Sequence, residues 1–109
     1  MTRIAQFAKF TARPGDGDGV VAALQTALAS ARTEPGTHVY AIHRQADDPD
    51  VVWMYELYAT ADAQVAHSGS AATAELRAAV GELLAEPLTV TRGLVGEEFG
   101  LPTPPDTTS

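Results

Sequence analysis

The chain has 109 residues, no cysteine, and 14 acidic residues against seven basic ones, for a formal charge of −7. That length fits one domain, and the missing cysteine excludes a disulfide framework, a thiolate metal site and a thiol nucleophile. The only cations are Lys9 and six scattered Arg, which leaves no electrostatic footprint for phosphate backbones and argues against nucleic acid as a partner.

The opening Met1-Thr2-Arg3-Ile4 lacks the apolar stretch of a signal peptide. Arg3 to Thr11 mixes Ile4, Phe7 and Phe10 with Gln6 and Lys9 and reads as a strand, ended by Pro14-Gly15-Asp16-Gly17-Asp18-Gly19. Asp16 or Asp18 is placed to cap a helix over Val20 to Thr33, with Val21, Leu24, Leu28 and Ala31 at helical spacing and Pro35-Gly36 as its stop. This longest apolar segment is broken by Gln25, Thr26 and Ser30 and cannot cross a bilayer, so a soluble, cytoplasmic protein without a membrane partner is expected.

A second strand, His38 to Arg44, puts Tyr40 and Ile42 on one face and Val39, Ala41 and His43 on the other. Asp47-Asp48-Pro49-Asp50 reads as the turn of a hairpin, with a third strand from Val51 to Tyr58. One face of that strand carries Val51, Trp53, Tyr55 and Leu57, the other Val52, Met54, Glu56 and Tyr58. Both are largely apolar, so both need cover. Thr60 is positioned to cap a helix through Val65 and His67, and Ser68-Gly69-Ser70 interrupts it. Ser70 recaps a stretch from Ala71 to Ala85 with Leu76, Val80, Leu83 and Leu84 inward, ended by Pro87. Leu88 to Val95 alternates as a fourth strand, and the Pro/Thr-rich segment 100–109 is expected to be disordered, leaving 1–99 as the single domain.

Strand, helix, strand, strand, helix, strand is the split β-α-β order of an α+β, ferredoxin-like sandwich. Two helices cover one face of such a sheet, and a symmetric partner is the simplest cover for the other, which predicts a homodimer packed sheet on sheet.

His38 and His43 point to opposite faces of their strand and His67 is remote in sequence, so no metal site is expected. The cluster Asp47, Asp48, Asp50 lacks the calcium-loop pattern, and Gly15, Gly17 and Gly19 alternate with Asp, which repels phosphate. Glu56 on an otherwise apolar face needs a partner; Arg44 or Arg92 would satisfy it structurally, and catalysis is the competing reading. His67 is read either as a base or as a histidine bonded to a neighbouring backbone or carboxylate group.

A set of short pieces occurs in order along most of the chain: Phe10-Thr11-Ala12-Arg13-Pro14-Gly15, Glu34-Pro35-Gly36, Tyr40-Ala41-Ile42-His43-Arg44, Asp48-Pro49, Tyr55-Glu56-Leu57-Tyr58, and Ala66-His67 with Ser70. On these the chain resembles the antibiotic biosynthesis monooxygenase family, which includes quinol monooxygenases of the YgiN type. The resemblance implies a dimeric ferredoxin-like α/β barrel that oxygenates a small aromatic quinol or anthrone with dioxygen, without metal, flavin or haem. It implies His67, Glu56 and Tyr58 as catalytic residues and Tyr40, His43, Trp53 and Ser70 as substrate-binding residues. Strand alternation separates Trp53 from Glu56 and Tyr58, so one set belongs to the cavity and the other to the dimer face. The sequence departs from the family pattern in having no Asn, and in carrying Ala72 and Thr73 where many relatives have His and Phe. Haem-degrading relatives place a ligand His where this chain has Arg77, which disfavours haem breakdown. An isomerase using His67 as its base, and a non-catalytic dimeric module for a small hydrophobic ligand, are the alternative readings.

Overall fold

A computed structural model describes residues 2–102. It contains β1 (Ile4–Thr11), α1 (Gly17–Ala31), β2 (Thr37–Gln45), β3 (Asp48–Tyr58), α2 (Ala61–Ser68), α3 (Ala71–Gly81) and β4 (Thr89–Leu94). The strands form one sheet in the order β2-β3-β1-β4, every neighbouring pair antiparallel. This is the ferredoxin-like α+β architecture, with the second helical segment divided at Ser68-Gly69-Ser70 as its sequence predicts. The breaks are chemically specified. The Thr60 hydroxyl accepts from the Ala63 N–H at 3.1 Å, and the Ser70 hydroxyl accepts from the Thr73 N–H at 3.2 Å.

The register decides which side chains share a face. Gln6 pairs with Glu56 and Ala8 with Met54 across β1 and β3, while Tyr40 pairs with Glu56 and Ile42 with Met54 across β2 and β3. Their face is the one the helices cover. Ala8, Phe10, Val52 and Met54 from the sheet meet Val20 and Leu24 of α1 and Leu76 and Val80 of α3 in one buried core. Burying side chains of this size contributes about 1.5–3 kcal/mol each, which ties both helices to the same sheet face.

The opposite face is open at its centre. Phe7 and Trp53 are 46% and 39% exposed; Phe7 lies 5.5 Å from Tyr55 between ring centroids, and Lys9 sits over the Trp53 ring.

Several boundaries differ from those expected. The hairpin turn is Ala46-Asp47, and Asp48-Pro49-Asp50 belong to β3. Asp50 is held there because its carboxylate accepts the Gly15 and Gly17 N–H groups at 3.1 and 2.9 Å. It therefore takes the role expected of Asp16 or Asp18: Asp16 occupies the N-cap position of α1 but makes no side-chain cap bond. Gly17 has no room for a side chain, since a Cβ there would collide with the Pro49 carbonyl oxygen. Helix α3 stops at Gly81 rather than Ala85 because the following backbone bonds to the end of β1, Arg13 N–H to the Leu83 carbonyl and Ala85 N–H to the Thr11 carbonyl, each at 2.8 Å. Of the tail expected to be disordered, Pro102 accepts from Arg3 Nη1 at 2.8 Å, and residues 103–109 lie outside the described residues. No helix among the described residues is long and apolar enough to cross a membrane.

Candidate active site

Glu56 stands on the helix-covered face of β3, 4% exposed. A carboxylate taken out of water is costly unless donors meet it, and here they converge on one oxygen. Gln6 Nε2 donates to Glu56 Oε1 at 2.9 Å, and the Tyr58 hydroxyl donates to the same atom through a short hydrogen bond. Among the described residues Oε2 receives no protein donor. The expected ion pair to Arg44 or Arg92 is not what satisfies Glu56. Arg44 binds Asp18 and the Pro49 carbonyl, and Arg92 reaches Glu56 only through Gln6, its Nε donating to Gln6 Oε1 at 2.7 Å.

His67, in the last turn of α2, is buried beside this carboxylate. Its Nδ1 lies 2.8 Å from Glu34 Oε1, which also accepts from the Thr37 hydroxyl at 2.7 Å. Its Nε2 lies 3.7 Å from Glu56 Oε1. With Nδ1–H directed at Glu34, Nε2 is the ring's free basic nitrogen, and an imidazolium formed by proton uptake there faces a carboxylate on each side. Tyr40 and Tyr58 flank the ring at centroid distances of 5.4 and 5.3 Å. Burial first, then the Glu56 charge, push both phenols well above their ordinary range. Both therefore stay protonated rather than acting as bases, and Tyr58 is the one that donates to Glu56.

His67, Glu56 and Tyr40 border a cavity of about 40 Å³, lined also by Gln6, Arg77, Leu88 and Arg92, with Tyr58 and Glu34 behind that wall. Beside it, between α2 and β4, runs a larger groove of about 270 Å³, walled by Ile4, Val65 and Leu94 and sharing Arg92. The Gln64 amide bridges the two regions. Turned so that its carbonyl meets the donors, it accepts from the Ser68 hydroxyl at 2.6 Å and from Arg92 Nε at 3.0 Å.

The structure thus brings together His67, Glu56, Tyr58 and Tyr40. It places Trp53 and His43 opposite one another in register on the other sheet face, where Trp53 Nε1 donates to Gln45 Oε1 at 2.9 Å. Ser70 does not line the cavity: it caps α3 and donates to the His67 carbonyl at 2.8 Å, holding the backbone behind the ring. Gln6 and Glu34 belong to the site and were not singled out from the sequence; Arg92, expected there as an ion-pair partner of Glu56, belongs to it through Gln6. Gln6 shares a face with Ala8 at period two, a signal that could have found it; Glu34 lies in a loop and carries none. Among the described residues no group of three His, Asp or Glu side chains is arranged to hold a metal ion.

A family model for antibiotic biosynthesis monooxygenase matches residues 3–86. "Putative monooxygenase Rv0793" of Mycobacterium tuberculosis is 34% identical over 88 residues, 81% of this chain and 86% of that protein. The solved structure of Rv0793 superposes with a TM-score of 0.83 at 31% identity, covering 90% of this chain and 99% of that one. The NE2512 protein of Nitrosomonas europaea superposes with a TM-score of 0.81 at 25% identity, covering 94% and 97%.

Proposed function

The chain belongs to the antibiotic biosynthesis monooxygenase family, and on that premise we propose that it oxygenates a small aromatic quinol or anthrone-like substrate with dioxygen, His67 serving as the base. The observation that supports this most is the placement of His67 Nε2 at a cavity, with Nδ1 anchored 2.8 Å from Glu34 and Glu56 as neighbour. An imidazole held in one orientation beside a cavity suits removal of a weakly acidic substrate proton.

The chemistry balances without an external reductant. His67 Nε2 takes the proton from the activated carbon or hydroxyl, leaving a delocalised carbanion or phenolate. That anion transfers an electron to dioxygen, and the two radicals combine to form a carbon–oxygen bond. Protonation of the peroxide by the imidazolium and cleavage of its O–O bond, with loss of the remaining hydrogen from the same carbon, give a carbonyl and water. In an anthrone-like methylene the reacting carbon gives up both hydrogens; in a quinol one comes from the ionised hydroxyl and one from the ring carbon that is oxygenated. In either case the substrate gains one oxygen atom, the second leaves as water with those two hydrogens, and the four electrons that reduce dioxygen come from the substrate alone. Neutral Tyr58 holds Glu56 in place, and Glu56 with Glu34 stabilises the transient imidazolium.

Space divides the labour. An apolar cavity of about 150 Å³ accommodates benzene, so a cavity of about 40 Å³ takes dioxygen and the reacting atoms while the ring rests in the adjoining groove.

The exposed Phe7, Trp53 and Tyr55 face supports a homodimer packed sheet on sheet, which would also shelter the aromatic centre of that face.

The test is oxygen uptake by chelator-treated protein against hydroquinones and anthrones, with His67→Ala in parallel. Uptake above autoxidation that falls in the variant supports the oxygenase. Proton exchange at a substrate carbon without oxygen uptake would point instead to an isomerase. Binding without product, unchanged in His67→Ala, would point to a ligand-binding module.

A further inference from the structure

We infer that the substrate carries an anionic group, recognised by Arg77 and Arg92 at the mouth of the His67 cavity. The inference rests on the site proposed above and names the class of molecule it takes: an aromatic carboxylate rather than a neutral quinol.

The local charge runs against the charge of the chain. Overall, seven cations face 14 acidic residues. Yet the cavity wall itself carries two cations, Arg77 and Arg92, against one acid, Glu56, while Glu34 stands behind His67, engaged with its Nδ1 and with the Thr37 hydroxyl. Neither arginine has a carboxylate within ion-pairing distance among the described residues, whereas Arg3 and Arg44 each have one. Glu56, the one acid in the cavity wall, does not consume them: its hydrogen-bonded oxygen is taken by Gln6 and Tyr58.

Arg92 is also pre-positioned. Its Nε is fixed on Gln6 Oε1 at 2.7 Å and, with Gln64 turned as above, its Nη2 donates to the Gln64 carbonyl at 3.2 Å; this leaves Nη1 without a protein acceptor among the described residues and holds the guanidinium between the cavity and the apolar groove, both of which it lines. A guanidinium with free donors at the junction of an apolar wall and a polar cavity matches a planar ring bearing a carboxylate. The ring lies along Ile4, Val65 and Leu94, the carboxylate meets the arginines, and the oxidisable position points to His67. Arg77 stands on exposed helix surface and adds a second charge that draws the anion in from solvent.

Binding is best read without turnover, under nitrogen, by chemical-shift titration of 15N-labelled protein with 2,5-dihydroxybenzoate and its neutral isostere 2,5-dihydroxybenzamide. The carboxylate is expected to bind at least about tenfold more tightly at low salt, with shifts at the Arg92 Nε–H and at His67, and the preference should shrink as salt is added. Arg77→Gln, an exposed change that leaves the buried network intact, should cut the preference several-fold, and Arg92→Gln should remove most of it. His67→Ala should retain it. Equal affinity for the two ligands, a preference untouched in both arginine variants, or no saturable shift with either ligand would overturn the inference. Because no oxygen is present, a protein that prefers the carboxylate but fails to consume oxygen refutes the oxygenase reading alone.

Discussion

Replacing Tyr58 by Phe removes one hydroxyl and nothing else from the centre of the site. The ring is fully buried and its packing against His67 survives in Phe, so the loss is that of the hydrogen bond to Glu56 Oε1. A hydrogen bond to a charged group contributes about 1.5–3 kcal/mol, and the buried carboxylate keeps only Gln6 as a close donor, so the upper half of that range applies. At a urea m-value of about 1.5 kcal/mol/M the unfolding midpoint should fall by about 1.5–2 M. The assay is urea unfolding followed by circular dichroism at one protein concentration, since dimer formation would make stability depend on it. Glu56→Gln and the double variant complete a cycle. The two changes should be non-additive by about 1 kcal/mol or more, because the charge that needs the hydroxyl is gone in the second background. A cost below about 0.5 kcal/mol for Tyr58→Phe, with m unchanged, would refute the view that this hydroxyl is what lets a carboxylate sit in the core.

Further outcomes follow from the same contacts. Glu34→Gln should lower kcat by roughly 10- to 100-fold with little change in KM, since it loosens His67 without touching substrate, and steady-state kinetics will separate the two. Asp50 is held below its ordinary pKa chiefly by the Gly15 and Gly17 N–H groups. Its folded value is depressed, so the stability it adds is present above the ordinary carboxylate range and is lost as pH falls through the folded value. Asp50→Asn should therefore be less stable than wild type at about pH 7, and the gap should narrow as pH is lowered below the ordinary carboxylate range, as read by urea unfolding at each pH. Trp53→Glu, on the open sheet face, should convert a dimer to monomer in light scattering while leaving the helix content unchanged; a mass identical to wild type would contradict the proposed interface.

Much of the architecture could be read from the order of hydrophobic periods, because each element buries one face and the period of that face names the element. Strand parity was legible in the same way: Glu56 and Tyr58 had to face opposite Trp53, and they do. What parity cannot supply is which face the helices choose, since both faces of β3 are apolar. The hairpin was misplaced because Asp48-Pro49-Asp50 has the composition of a turn, while its conformation is set by a bond from Asp50 to the start of α1, more than thirty residues earlier in the chain. The site's partners were hidden for the same reason. Glu34 meets His67 from a loop 33 positions away, and Arg92 meets Gln6 across 86. Local pattern carries no trace of such pairings. Glu56 could be named because a carboxylate is costly to bury, so its presence on an apolar strand face is itself a signal; His67 was named through the family resemblance.

The central claim is that a base at His67 starts an oxygenation whose electrons come from the substrate alone. It is tested most directly by turnover under 18O2 with the best substrate of the oxygen-uptake panel, comparing wild type with His67→Ala. The account predicts one labelled oxygen in each product molecule, the other in water, and a rate that falls about 100- to 10,000-fold in the variant. Unlabelled product, or a variant as fast as wild type, would contradict it.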